Sequence, residues 1–167
     1  SDDTDANGNT EKNANGESKQ QADEDNLEDG DVIVNGAGVI MTSDGDILTN
    51  NHVVEGASSI TVTINGRRYD AEITGTDPTS DLATIKCVDA KDLPVAKFGT
   101  SSELREGEWV MTVGNPYGLN DSVSTGSVSY LGRDIKMSAN RVDIMYANMI
   151  QTNVPFNPGN SGGGLYN

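Results

Sequence analysis

Apolar and polar positions along the chain alternate in a pattern that predicts short β-strands separated by tight turns. Ile60, Val62 and Ile64 alternate with two threonines, the period of two typical of a half-buried strand. Asn65-Gly66 follows directly, and this dipeptide is a strong hairpin signal. The pattern therefore predicts a hairpin whose return strand covers about residues 68–76.

Other segments carry similar strand signals, while helical signals are weak. Further strands are predicted over residues 36–41, 47–50, 81–87, 109–114, 122–131 and 149–152. One helical turn is expected around His52, closed by Gly56, and another where Thr100–Glu103 resembles a capping box, with Gly107 as its stop. Residues 132–148 are predicted to be a loop. This is the pattern of an all-β sandwich or barrel built in two groups of strands.

The first thirty residues have a different composition. Leu27 is their only large apolar residue, and residues 1–31 hold eleven acidic side chains against two lysines. Such a segment buries too little surface to offset its ordering entropy, so it is predicted to be an acidic disordered linker. It is interpreted as a spacer or as a passive tail. The predicted folded part begins near Val32.

Charge and cysteine content limit the classes of partner and cofactor. The chain has 11 basic and 26 acidic residues, a formal charge of −15, which argues against binding to nucleic acid or to an anionic membrane. Cys87 is the only cysteine, so an internal disulfide or a cysteine metal cluster is excluded, and a packing role is expected for it. No metal or organic cofactor is implied. No apolar run approaches the roughly 18 residues of a membrane span.

The clearest chemical signal is the run of residues 157–164, Asn-Pro-Gly-Asn-Ser-Gly-Gly-Gly. Proline and repeated glycine disfavour helix and strand, so a tight loop is expected. A serine there suits nucleophilic attack, and neighbouring N–H groups suit an oxyanion. A phosphate-binding loop would need a following Lys-Ser or Lys-Thr, and neither follows these glycines. The G-x-S-x-G nucleophile elbow of α/β-hydrolases would need a helix after the serine and a later histidine, whereas the one histidine of this chain precedes the serine.

The serine needs a base and an orienting acid, and the chain offers one histidine, His52. Asp81 heads a predicted strand and shares its face with core positions, where a carboxylate requires a hydrogen-bond partner. Asp77 is the rival acid, but it precedes Pro78 in a turn. The order His52, Asp81, Ser161 is that of trypsin-like proteases.

Several segments together resemble the protease domain of the HtrA/Deg family of trypsin-like serine proteases. The matching segments are residues 49–54, 76–83, 114–119, 150–153 and 157–163. The resemblance implies a chymotrypsin/trypsin-like double β-barrel. The first barrel, residues 32–105, would carry His52 and Asp81, and the second, residues 106–167, would carry Ser161.

The same resemblance assigns roles and a setting. The catalytic roles fall on His52, Asp81 and Ser161, and the oxyanion hole on Gly159, Asn160 and Ser161. The implied activity is endopeptidase cleavage of unfolded or misfolded proteins, outside the cytoplasm in a bacterial cell envelope. A homotrimer and a membrane tether upstream of residue 1 are also implied.

The chain departs from the family pattern in two side chains and in length. Gly164 stands where the family commonly has proline, and Asn153 where it often has aspartate. The chain stops a few residues after Ser161, so the second barrel is expected to be incomplete and the chain to be a fragment. A catalytically inactive, protease-like binding module and an esterase are the alternatives that the sequence leaves open.

Overall fold

The computed structural model describes residues 34–114, 122–139, 142–155 and 159–167. All of them belong to one unit of the chain, Ile33–Asn167. The predicted acidic linker, residues 1–31, lies outside the described residues. Residues 157 and 158 of the predicted serine loop also lie outside them.

A first antiparallel sheet contains five strands in the spatial order β1-β2-β5-β4-β3. The strands are β1 (Val39–Ile40), β2 (Asp46–Thr49), β3 (Ile60–Ile64), β4 (Arg67–Asp77) and β5 (Leu82–Cys87). The predicted hairpin is confirmed: Asn65 and Gly66, with φ of 51° and 76°, form the turn between β3 and β4. A single helical turn, α1 (Asn51–Val54), follows β2 and carries His52, as predicted.

A second sheet contains four strands in the order β8-β7-β6-β9. They are β6 (Trp109–Gly114), β7 (Ser122–Ala139), β8 (Val142–Thr152) and β9 (Leu165–Tyr166). A 3-10 turn, Ser101–Glu103, lies in the connection between the sheets. The helical turn was predicted correctly, but the capping box was not, because the Thr100 side chain makes no cap hydrogen bond. No helix of the described residues is long and apolar enough to cross a membrane.

The prediction of a loop over residues 132–148 is wrong. Nearly all of this segment belongs to the long hairpin of β7 and β8. Its pairing register shifts three times between Val128 and Ile135, so apolar and polar residues do not alternate cleanly there. Gly132 and Asn148, with positive φ of 72° and 55°, add turn-like residues to the strands. Because of these irregularities, the alternation of apolar and polar residues that is typical of a strand cannot be recognised in the sequence.

The first predicted strand is shorter than expected, with only Val39 and Ile40 paired. The two glycines before this strand, Gly36 and Gly38, are not part of it and allow close packing against neighbouring residues. A Cβ at Gly36 would lie 2.4 Å from Val53 Cγ1, and one at Gly38 would lie 2.5 Å from Ile47 Cγ2. This segment therefore packs directly against β2 and against α1, the turn that carries His52.

The core of the first sheet lies on one face of β5. Asp81, Ala83, Ile85 and Cys87 are all buried, which confirms the predicted face. Cys87 is 2% exposed, and burial raises the pKa of its thiol, as expected for a packing residue. A smaller cluster, Val110, Val128 and Val154, forms the core of the second sheet.

Replacing Ile85 by alanine is expected to lower the free energy of unfolding by about 2–5 kcal/mol, because it leaves a cavity in this core. Ile73 faces Ile85 across β4 and β5 but is 42% exposed. The same change at Ile73 should cost clearly less, on the order of 1 kcal/mol. Urea unfolding of both variants measures the difference, and equal losses would show that Ile85 is not a core residue.

Candidate active site

His52 and Asp81 form a hydrogen-bonded pair beside the end of β2 and the start of β5, two interior strands of the first sheet. His52 Nδ1 lies 2.7 Å from Asp81 Oδ2. The aspartate side chain is 6% exposed, whereas the histidine side chain is 53% exposed. The structure therefore brings together the two residues that the sequence named as base and acid, with the acid inside and the base facing outward.

Asp81 is held by the backbone as well as by the imidazole. Its Oδ1 accepts a hydrogen bond of 2.9 Å from the His52 N–H, and its carbonyl oxygen accepts bonds from the Asn51 N–H and the Asn50 side chain. The first N–H groups of a helical turn lack partners within the turn, and Asp81 supplies them. This network provides the partner that a buried carboxylate requires.

The backbone of Asp81 adopts a left-handed conformation, with φ of 56°. Aspartate and asparagine tolerate this region better than most residues because their short polar side chains bond locally. The conformation lies just before β5 begins at Leu82. It lets one residue present both its carbonyl and its carboxylate to α1.

The pairing determines which histidine nitrogen can act as a base. An ionised carboxylate only accepts hydrogen bonds, so His52 Nδ1 must carry the proton that it donates to Asp81. In the neutral ring this leaves the lone pair on Nε2. The pair therefore presents a basic nitrogen on the exposed side of the imidazole.

The loop that carries Ser161 has the tight backbone predicted for it. Gly159 and Gly162 have positive φ of 101° and 87°, and the Gly163 N–H donates to the Asn160 carbonyl over 3.0 Å. At Gly162 a side chain has no room, since a Cβ would lie 2.2 Å from the Ala37 carbonyl oxygen. Glycine is therefore required there for both conformation and space.

This loop is attached to the segment beside His52. The Ala37 N–H donates to the Ser161 carbonyl over 2.8 Å, and the Thr49 hydroxyl donates to the Ala37 carbonyl over 2.7 Å. Thr49 ends β2 three residues before His52. Two hydrogen bonds thus connect the serine loop to the strand that leads into α1.

The structure does not join all three predicted catalytic side chains. Among the hydrogen bonds of the described residues, none links the Ser161 hydroxyl to His52. The Gly159 and Ser161 N–H groups donate no backbone hydrogen bond to a described residue, as oxyanion donors require. Asn160, the third predicted residue of the oxyanion hole, directs a buried Oδ1 without a described partner against Gly114.

The rival acid, Asp77, belongs to a turn. Its carboxylate accepts hydrogen bonds from the Ser80 hydroxyl and the Thr79 N–H. These bonds hold the pKa of Asp77 below its usual value. The Asp77 carboxylate is therefore hydrogen-bonded within its own turn, and the carboxylate that bonds to the His52 ring is that of Asp81.

One residue at the site was missed by the sequence analysis. The Tyr146 hydroxyl donates to Asp81 Oδ2 over 3.2 Å. Tyr146 lies on β8, in the segment predicted to be a loop. Nothing in its local sequence pairs it with a residue 65 positions away.

Comparisons with known proteins identify the family and the fold of the chain. The family model described as "Trypsin-like peptidase domain" matches residues 36–167. The structure of "HtrA-type protease AlgW with decapeptide" superposes with a TM-score of 0.70 at 42% identity, covering 78% of this chain and 39% of that chain. The two β-sheets therefore have the trypsin-like double-β-barrel fold that was predicted.

Curated relatives carry a consistent name. "Probable periplasmic serine endoprotease DegP-like" from Marinomonas sp. (strain MWYL1) is 48% identical over 133 residues, covering 79% of this chain and 27% of the relative. Its namesake from Hahella chejuensis (strain KCTC 2396) is 49% identical over the same length. This chain spans 27% of the length of these relatives. The chain belongs to the trypsin-like peptidase domain family, and the predicted resemblance to its HtrA/Deg members is confirmed.

Proposed function

We propose that the protein containing this chain is a serine endopeptidase that uses a triad of Ser161, His52 and Asp81. The observation that carries the proposal is the His52–Asp81 pair, which leaves the outer imidazole nitrogen basic. The attachment of the Ser161 loop to Ala37, and through it to Thr49, supports the same assignment. The names of the relatives make peptide bonds the natural substrate class.

The proposed reaction proceeds through an acyl-enzyme. Ser161 Oγ attacks the substrate carbonyl carbon while His52 Nε2 takes the hydroxyl proton. The negative charge on the carbonyl oxygen is stabilised by the Gly159 and Ser161 N–H groups. His52 then gives the proton to the leaving amine as the peptide bond breaks. A water molecule, activated by the same nitrogen, hydrolyses the ester and regenerates Ser161.

Asp81 has two tasks in this scheme. It holds the proton of the neutral ring on Nδ1, and its charge stabilises the imidazolium formed after proton transfer. The contact between Ser161 and His52 forms when substrate fills the site, since catalytic hydrogen bonds often tighten only in the substrate complex. Ser161 is half-buried, so its side chain keeps partial access to the site.

The proposed cellular setting is based on the names of the relatives. Relatives named periplasmic endoproteases support an extracytoplasmic location in a bacterial envelope. Unfolded or misfolded proteins are the proposed substrates, with a homotrimer as the assembly and a membrane tether upstream of residue 1. The two barrel domains are assigned to residues 32–105 and 106–167.

Covalent labelling tests the proposal directly. A fluorophosphonate probe applied to the full-length protein is expected to label the wild type and to leave Ser161→Ala and His52→Ala unlabelled. Casein digestion by the wild type then separates a protease from an esterase. Absence of labelling in the folded wild-type protein would overturn the proposed activity.

A protease-like binding module is the second candidate, and the second sheet favours it. Trp109 and Met111 lie on one face of β6, Met111 is paired with Tyr166 of β9, and all three side chains are exposed. An apolar surface of this kind is typical of contact with another protein segment. A folded wild-type protein that binds casein without cutting it would support this candidate.

A further inference from the structure

The β7–β8 hairpin of the second sheet reaches the acid of the first sheet. Tyr146 is half-buried, and its hydroxyl donates to Asp81 Oδ2 over 3.2 Å. That oxygen also accepts the 2.7 Å hydrogen bond from His52 Nδ1, while Oδ1 accepts the His52 N–H. Among the described residues the carboxylate therefore has three donors, two from His52 and one from Tyr146.

The irregular pairing of the hairpin accounts for the position of Tyr146. Tyr146 is paired with Ile135, directly after a register shift that begins at Arg133. Two residues further along β8, Asn148 has a φ of 55°, and its N–H donates to the Asp134 carboxylate over 2.8 Å. Such irregularities bend a strand and redirect its side chains. Here the register shift and Asn148 lie between the pairs Arg133–Met149 and Ile135–Tyr146, directly next to Tyr146.

In this hydrogen bond Tyr146 is the donor and Asp81 is the acceptor. Burial raises the pKa of Tyr146, and the charge of Asp81 and the hydrogen bond to it raise that pKa further. The phenol therefore keeps its proton in neutral solution and acts toward the carboxylate as a donor. Hydrogen bonds to a charged group are stronger than those between neutral groups, so this contact is able to orient Asp81.

We propose that Tyr146 is a positioning residue for Asp81, holding the carboxylate in the orientation that fixes the His52 ring. Its effect on catalysis rests on the proposed function, whereas its effect on the His52–Asp81 hydrogen bond does not. Tyr146 touches neither the nucleophile nor the oxyanion donors in the described hydrogen bonds, so it acts through Asp81. The hairpin thereby contributes to the site from the other sheet.

Replacing Tyr146 by phenylalanine tests the proposal. We expect kcat for a peptide substrate to fall roughly tenfold, because a hydrogen bond to a charged group is lost. KM should stay unchanged, since no substrate contact is removed. A packing role predicts instead that Tyr146→Phe behaves as wild type and only Tyr146→Leu is impaired, and that result would overturn the proposal.

Proton NMR gives a second measurement that does not depend on turnover. The low-field proton of the His52–Asp81 hydrogen bond is identified as the resonance that disappears in His52→Ala. It should move downfield in Tyr146→Phe, because Asp81 Oδ2 loses a competing donor. Tyr130→Phe is the matched control on β7, since Tyr130 is exposed and stacks with Arg133 at 4.7 Å, and it should change neither measurement.

The outcomes separate this inference from the proposed function. A wild-type resonance that moves in Tyr146→Phe, in a protein that hydrolyses no peptide, supports the positioning contact and overturns the protease assignment. An active wild type whose resonance is unaltered in Tyr146→Phe overturns the positioning contact and leaves the protease assignment intact.

Discussion

Replacing Asp81 by asparagine is expected to lower kcat for peptide hydrolysis by about 10⁴, as the corresponding change does in the trypsin-like template. The amide NH₂ would face His52 Nδ1 as a donor, so Nδ1 would have to present its lone pair and the proton would move to Nε2. Nε2 could then no longer take a proton from Ser161. The expected loss therefore comes from the wrong tautomer rather than from a missing contact.

The design of this variant keeps the fold intact. Asparagine tolerates the φ of 56° at position 81, and its amide oxygen can still accept the His52 N–H. Asp77→Asn is the matched control, because it makes the same chemical change in the neighbouring turn and should leave kcat nearly unchanged. Steady-state kinetics on both variants, with thermal melting as a folding check, measure the effect. A large loss in Asp77→Asn and none in Asp81→Asn would reverse the assignment of the acid.

Local signals predicted the first sheet well because its strand pairing is regular apart from one register shift between Ile73 and Gly75. The β3–β4 hairpin follows from an alternation of apolar residues and an Asn-Gly turn, both visible within eight residues. The buried face of β5 follows from the same period. Asp81 was identified from the cost of burying a charge on that face, and this physical requirement is met by α1.

The second sheet was predicted less well because its features depend on distant contacts. The register shifts of β7 and β8 break the alternation on which strand prediction relies, and the hairpin is stabilised across strands rather than along one. Tyr146 is the clearest example. Its role depends on a hydrogen bond to Asp81 in the other sheet, and no spacing rule within one chain segment encodes such a contact.

The site itself was only partly predictable. Residue types and their order pointed to His52, Asp81 and Ser161, and the catalytic roles of these residues stay predictions until activity is measured. The sequence did not show how the serine loop is attached. Ala37 and Thr49 make that attachment, and neither residue has a chemical signature that marks it as part of a site.

Gly114→Ala is expected to lower kcat by about 10²–10³, the cost of losing one oxyanion donor. Gly114 ends β6 and is buried. A Cβ there would lie 2.1 Å from Asn160 Oδ1, 2.8 Å from its Cγ and 3.0 Å from its Cα. Since the last of these atoms is backbone, a rotation of the Asn160 side chain relieves only part of the collision. The segment between Gly159 and Ser161 must shift, and both proposed oxyanion donors lie on it.

The measurement is kcat for peptide hydrolysis together with the rate of fluorophosphonate labelling, which also depends on the oxyanion donors. Gly99→Ala is the matched control, because Gly99 is exposed and a Cβ there meets no atom within 4 Å. Adding Asn160→Ala to Gly114→Ala removes the amide from the collision and should restore part of the lost kcat, so the two changes are expected to be non-additive. Unchanged kcat and labelling in a folded Gly114→Ala variant would mean that the oxyanion donors are not held by this contact. If the effects of the two substitutions on kcat were strictly additive, the loss in Gly114→Ala would come from a change elsewhere in β6.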